Sequence, residues 1–135
     1  MTLTDEKKQD LIKNANEVRL RAYTPYSKYQ VGAALLTTSG NIFTGANVEN
    51  AAYGVTMCAE RSAVFSAVSA GERDFVAIAV ATHNGGSPCG SCRQVLSEFG
   101  LDIDVLQVDD QGKLIQQNTI RELLPGAFQS KDLLK

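Results

Sequence analysis

A chain of 135 residues, 44% apolar and 21% charged, can fill one core without disulfides, and its length suggests a single domain, residues 1–135. Its 13 Lys+Arg against 15 Asp+Glu leave a net charge of −2, which argues against a broad basic surface and so against a nucleic-acid partner. No apolar run nears the roughly 20 residues that span a bilayer. The opening Met1-Thr2-Leu3-Thr4-Asp5-Glu6-Lys7-Lys8 lacks the apolar stretch of a signal peptide, so a cytoplasmic protein without a membrane partner is expected.

Thr4 suits a helix N-cap, with Asp5 and Glu6 in the first turn where the helix dipole favours negative charge. Leu11, Ile12, Ala15, Val18 and Ala22 recur at helical spacing, which predicts a helix over 5–22, ended by Tyr23-Thr24-Pro25. Residues 29–38 are β-rich, Ser39-Gly40 signals a turn, and 42–44 resume extended structure, the pattern of a hairpin. The polar stretch 46–57 reads as a loop. A second helix is predicted over 58–70, buried along Ala59, Ala63, Val64, Ala67 and Val68, with Gly71 where a C′ glycine belongs. The apolar run 75–81 fits a strand buried on both faces. A glycine-rich loop over 84–90 leads into a third helix that Gly100 stops. A strand over 103–108, a turn over 109–112 and a short strand over 113–116 follow. Thr119 caps a last helical turn through Leu123, and Pro125-Gly126 turn the chain into its tail. The order α-β-β-α-β-α-β-β-α predicts an α/β fold, a mixed five-stranded sheet covered by helices as a three-layer α-β-α sandwich.

The three cysteines are an odd number, which does not suit a paired disulfide framework. They fall in two short segments, Cys58-Ala59-Glu60 and Pro88-Cys89-Gly90-Ser91-Cys92. A spacing of three puts Cys89 and Cys92 on one helix face, where both thiols can grip one ion. Cys58 and Glu60 stand about 200° apart on an ideal helix. They reach a common site only if Cys58 lies at or before the first helical residue. Three thiolates with one open position describe a catalytic zinc site, whereas a structural site is normally closed by a fourth protein ligand. His83 is the candidate for such a fourth ligand, and three buried thiols without metal are the remaining reading. Zinc with three thiolates carries a net negative charge. The helix N-termini at 58 and 89, and the guanidinium of Arg61 or Arg93, are placed to compensate it, Arg61 the more directly because it follows Glu60.

Read together, Tyr26-Ser27-x-Tyr29-x-Val31-Gly32-Ala33-Ala34-Leu35, Gly45-x-Asn47-x-Glu49-Asn50, Cys58-Ala59-Glu60-Arg61, Pro88-Cys89-Gly90-x-Cys92-Arg93-Gln94 and Leu123-Leu124-Pro125 resemble the small homotetrameric cytidine deaminases over almost the whole length. Cys-x-Glu followed by Pro-Cys-x-x-Cys is the three-cysteine form of the zinc deaminase signature. The resemblance implies one Zn2+ per chain on Cys58, Cys89 and Cys92. It implies that Glu60 takes a proton from the zinc-activated water, relays it to N3 of cytosine and returns a proton to the departing amine. The implied reaction turns cytidine and 2′-deoxycytidine into uridine and 2′-deoxyuridine with release of ammonia, a step of pyrimidine salvage. Asn47, Val48 and Glu49 are placed by the resemblance at the ribose, Tyr29 against the pyrimidine and Ala59 beside the substrate. Tyr53 and Phe128 are placed near a neighbouring subunit's site in a homotetramer.

One departure from the family is Tyr29, where Phe is common, so an added hydroxyl needs a partner or water. The glycines of Asn84-Gly85-Gly86-Ser87 precede a helix N-terminus that attracts anions. Two thiolates already occupy that end, which favours a nucleoside over a nucleotide. The alternative is a blasticidin S-type deaminase of a modified cytosine nucleoside, with the same metal motifs and size. The Asn47-x-Glu49-Asn50 loop favours the plain nucleoside.

Overall fold

The structure, a computed structural model, describes residues 1–134. Helix α1 (Asp5–Arg19) starts where expected, the Thr4 hydroxyl accepting from the backbone N–H of Lys7. It stops short of the predicted limit at 22. Arg21 and Ala22 bond three residues back, to Val18 and Arg19, and Tyr23 then pairs with the backbone of Asn47 and Glu49. Strands β1 (Gly32–Thr37) and β2 (Ile42–Ala46) form the expected hairpin. After a single 3-10 turn at Tyr53–Val55 come α2 (Ala59–Ser69), β3 (Phe75–Ala81), α3 (Gly90–Ser97) and β4 (Asp104–Val108). Strand β5 (Leu114–Thr119) runs three residues beyond its predicted end. Gln117, Asn118 and Thr119 are polar, yet they pair in register with Leu106, Val105 and Asp104 on the sheet edge. Two short helices close the chain, α4 (Ile120–Leu123) and α5 (Ser130–Leu133). A reciprocal cap joins Thr119 and Glu122 at the start of α4. The sequence reading has no counterpart of α5.

The strands lie in the order β2-β1-β3-β4-β5, antiparallel throughout except for the parallel pair β3 and β4. Strand alternation sorts the core into two halves. Ala33, Leu35, Ile78, Val80 and Val105 face α2, α3 and α4. Ala34, Leu36, Ala77, Ala79, Ala81, Leu106 and Val108 face Leu11, Ile12 and Ala15 of α1. The three expected layers are thus present. The β3-α3-β4 crossover brings the start of α3 to the carboxyl end of β3, the usual position of a site in an open α/β sheet.

Two glycines set how closely the layers approach. A Cβ on Gly32 would lie 2.1 Å from the Ala15 carbonyl oxygen of α1. One on Gly45 would lie 2.6 Å from both the Ala59 oxygen and the Ala63 nitrogen of α2. Backbone cannot step aside as a flexible side chain can. Gly45→Ala is therefore expected to lower the unfolding free energy by about 1–3 kcal/mol, the range for overpacking a close contact. Denaturant melts measure this. Unchanged stability would mean that α2 shifts away from β2 without cost.

Candidate active site

Cys58 is the N-cap of α2 and has extended backbone, φ −73° and ψ 151°. This meets the condition set by the Cys-x-Glu spacing, because the Cys58 side chain leaves before the helix winds. Cys89 caps α3 in the same way, φ −67° and ψ 167°, and Cys92 follows in the first turn. The three Sγ atoms lie within 4.8 Å of one another, and Cys89 and Cys92 approach to 3.5 Å. Among the described residues this is the cluster able to hold a metal ion. His83 lies outside it, its ring edge-on to Tyr29 with centroids 5.3 Å apart, so a fourth ligand from His83 is not supported.

One thiol of the cluster is biased toward its thiolate. The Cys58 thiol is held down at about 5, first by its hydrogen bond with Cys92 and further by Arg61, whose Nη2 donates to the sulfur at 3.1 Å. The same bond to Cys58, together with burial, pushes the Cys92 thiol up. Of the two candidate guanidinium groups, Arg61 thus meets a sulfur. Arg93 does not: it donates to the Pro88 and Leu123 carbonyls at 2.9 and 2.7 Å and to Ser87 Oγ at 2.7 Å. It clasps the cysteine loop to the end of α4.

Beside the cluster opens a cavity of about 300 Å³, lined among others by Tyr29, Asn47, Glu49, Cys58, Ala59, Glu60 and Cys89. Cys92 lies buried behind it. Glu60 is only 5% exposed, and burial pushes its carboxyl up, with the negative charge on Cys58 acting the same way. A carboxyl biased toward its protonated form suits a group that must both take and return a proton.

One wall of the cavity is built from a braced loop. Asn47 Oδ1 accepts from the Val31 N–H, and its Nδ2 donates to the Tyr29 carbonyl, each at 2.9 Å. Glu49 Oε1 accepts from the N–H groups of Tyr26 and Ser27 at 3.0 and 3.1 Å, and Oε2 accepts from the Ser27 hydroxyl. These bonds, the Ser27 hydroxyl above all, hold the Glu49 carboxyl below its usual range. Val48 is exposed and contributes backbone instead, pairing with Met57 in both directions. Its side chain is not among those lining the cavity. Tyr53 and Phe128 do not line it either. Tyr53, 75% exposed, stands edge-on to Tyr26 over an adjoining cavity of about 390 Å³ that also meets Glu49. Phe128 is 60% exposed, and only its carbonyl is anchored, accepting from Gln94 Nε2 at 2.9 Å.

Residues 5–107 match the model of the cytidine and deoxycytidylate deaminase zinc-binding region. The chain belongs to this deaminase family. A cytidine deaminase of Halalkalibacterium halodurans is 53% identical over 129 residues, 93% of this chain and 97% of the relative. The 1.6 Å crystal structure of cytidine deaminase from Burkholderia pseudomallei superimposes with a TM-score of 0.85 at 46% identity, covering 93% of this chain and all of that one. A blasticidin-S deaminase of Bacillus cereus is 38% identical over 109 residues, 73% of this chain and 76% of its own.

As a member of the deaminase family, the chain is a zinc enzyme, and the donor set fits that metal. Three soft sulfur ligands converge from two helix N-termini, and the cavity leaves a side open for water and substrate. The cavity also draws on residues to which the motifs assigned no site role. Val31, Thr56, Met57, Thr82, Gly86 and Ser87 line it. For Thr82 no local signal exists: it is the residue just past β3, brought to the site by the sheet.

Proposed function

We propose that this chain hydrolyses cytidine and 2′-deoxycytidine to uridine and 2′-deoxyuridine with release of ammonia. One observation carries the reading. The buried Glu60 carboxyl and the Cys58 and Cys89 sulfurs open onto one cavity, whose far side is the Asn47–Glu49 loop. Cys58, Cys89 and Cys92 hold the zinc, with Arg61 offsetting part of their charge. When bound, zinc supplies Lewis-acid activation of water near neutral pH. Glu60 takes a proton from the attacking water and delivers it to N3, which makes C4 electrophilic. The water oxygen bonds to C4. Glu60 then takes the remaining proton from the new C4 hydroxyl and gives it to the amine, so that the C4–N bond breaks as the C4 carbonyl forms.

Tyr29 flanks the base, Ala59 presents the first turn of α2, and Glu49, already fixed by residues 26 and 27, accepts from a sugar hydroxyl. Asn47 acts through the backbone it braces, and Val48 through the pairing that shapes the loop. The chain works as a single domain in the cytoplasm, where thiols stay reduced, as a step of pyrimidine salvage. Its assembly is a homotetramer, in which exposed Tyr53 and Phe128 bury against neighbours and complete their sites. Zinc-loaded protein offered cytidine, deoxycytidine, cytosine, CMP and blasticidin S is expected to release ammonia from the first two. Release from blasticidin S alone would move the reading to that deaminase class, and no release from any of the five would end it.

A further inference from the structure

The hydroxyl that distinguishes Tyr29 from phenylalanine has a partner. Tyr29 Oη donates to Asn84 Oδ1 at 3.0 Å, across 55 residues of sequence. The same oxygen accepts from Thr82 Oγ1 at 3.2 Å, and Thr82 Oγ1 accepts from the Gly86 N–H at 2.8 Å. A Cβ on Gly86 would stand 2.6 Å from Tyr29 Oη, so a glycine there lets the ring tip reach the loop. At its other end Tyr29 is tied to the sugar side. Its N–H donates to Ser27 Oγ at 3.0 Å, and its carbonyl accepts from Asn47 Nδ2 at 2.9 Å. Ser27 in turn holds Glu49.

We propose that Tyr29 is a strut across the substrate cavity, its hydroxyl joining the glycine loop before Cys89 to the loop that faces the sugar. The inference rests on the nucleoside reading above and adds a positioning group to it. Both cavity walls are then set before substrate arrives, and binding does not have to order the loop. Cys89 itself is held independently, since Arg93 grips Pro88 and Ser87. Loss of the strut should therefore weaken binding in ground state and transition state alike. That raises KM and leaves kcat in place.

The test is a kinetic cycle on the zinc-loaded enzyme with cytidine, using Tyr29→Phe, Asn84→Ala and the pair. Tyr29→Phe removes one oxygen and keeps the ring, and zinc content with a thermal melt confirms that each variant is folded and loaded. Each single variant is expected to raise KM about three- to tenfold, the range for one lost hydrogen bond, with kcat within about twofold. The pair is expected to match Asn84→Ala alone, because that variant already removes the partner of the Tyr29 hydroxyl. A parental KM in Tyr29→Phe, a loss confined to kcat, or a KM increase in the pair equal to the product of the two would overturn the strut. A parent enzyme inert on cytidine would instead remove the nucleoside reading on which the proposal rests.

Discussion

Glu60→Gln is expected to retain one zinc per chain while kcat for cytidine falls about 10²–10⁴-fold, the range for a lost general acid–base group. Glutamine has nearly the same size and can fill the same buried position in the first turn of α2, so the cavity should keep its shape. It cannot take a proton from water or pass one to N3 or the leaving amine. In the proposed mechanism both transfers depend on this carboxyl, which lines the cavity. Glu49 also lines the cavity, but its carboxylate is occupied by Tyr26 and Ser27, whose hydrogen bonds hold it below its usual range. Steady-state kinetics with metal analysis on the same sample decide the matter. Near-parental turnover in loaded Glu60→Gln would take the proton relay away from this residue.

Cys58→Ala is expected to lose zinc and with it all measurable turnover. Two sulfurs would remain, and neither His83 nor Arg61 can replace the third. His83 is turned to Tyr29, and Arg61 would be left facing the vacated position with a positive charge. Cys92→Ala should behave alike, because this buried sulfur belongs to the same three-sulfur cluster and lies 3.5 Å from Cys89. The measurement is zinc per chain after dialysis against a weak chelator, beside parent protein treated the same way. Full zinc in Cys58→Ala would reject the ligand set. Folding should survive in both variants, since the two core halves are closed by aliphatic side chains on both faces of the sheet.

The sequence by itself determined what depends on near neighbours in the chain. The Thr4 cap, the helix signal before it breaks at Tyr23 and the Ser39-Gly40 turn of the hairpin all rest on contacts within a few residues. So does the metal grip. Cys-x-x-Cys is a helix-face spacing, and Cys-x-Glu demands an N-cap cysteine, which is what α2 provides. Five strands and their layering followed from the order of such local elements.

Tertiary structure alone decided the partners. Arg61 and Arg93 each follow a cysteine within four residues, yet one meets a sulfur and the other the end of α4, 30 residues away. The polar end of β5 has no strand signal of its own, and its pairing exists because β4 offers an open edge. Asn47 looks like a free loop amide until Tyr29 and Val31 are folded against it. The physical reason is common to all three. A polar group, of backbone or side chain, binds whichever donor or acceptor the fold delivers within about 3 Å, and that choice is made by strand order and helix placement rather than by the residues beside it in sequence.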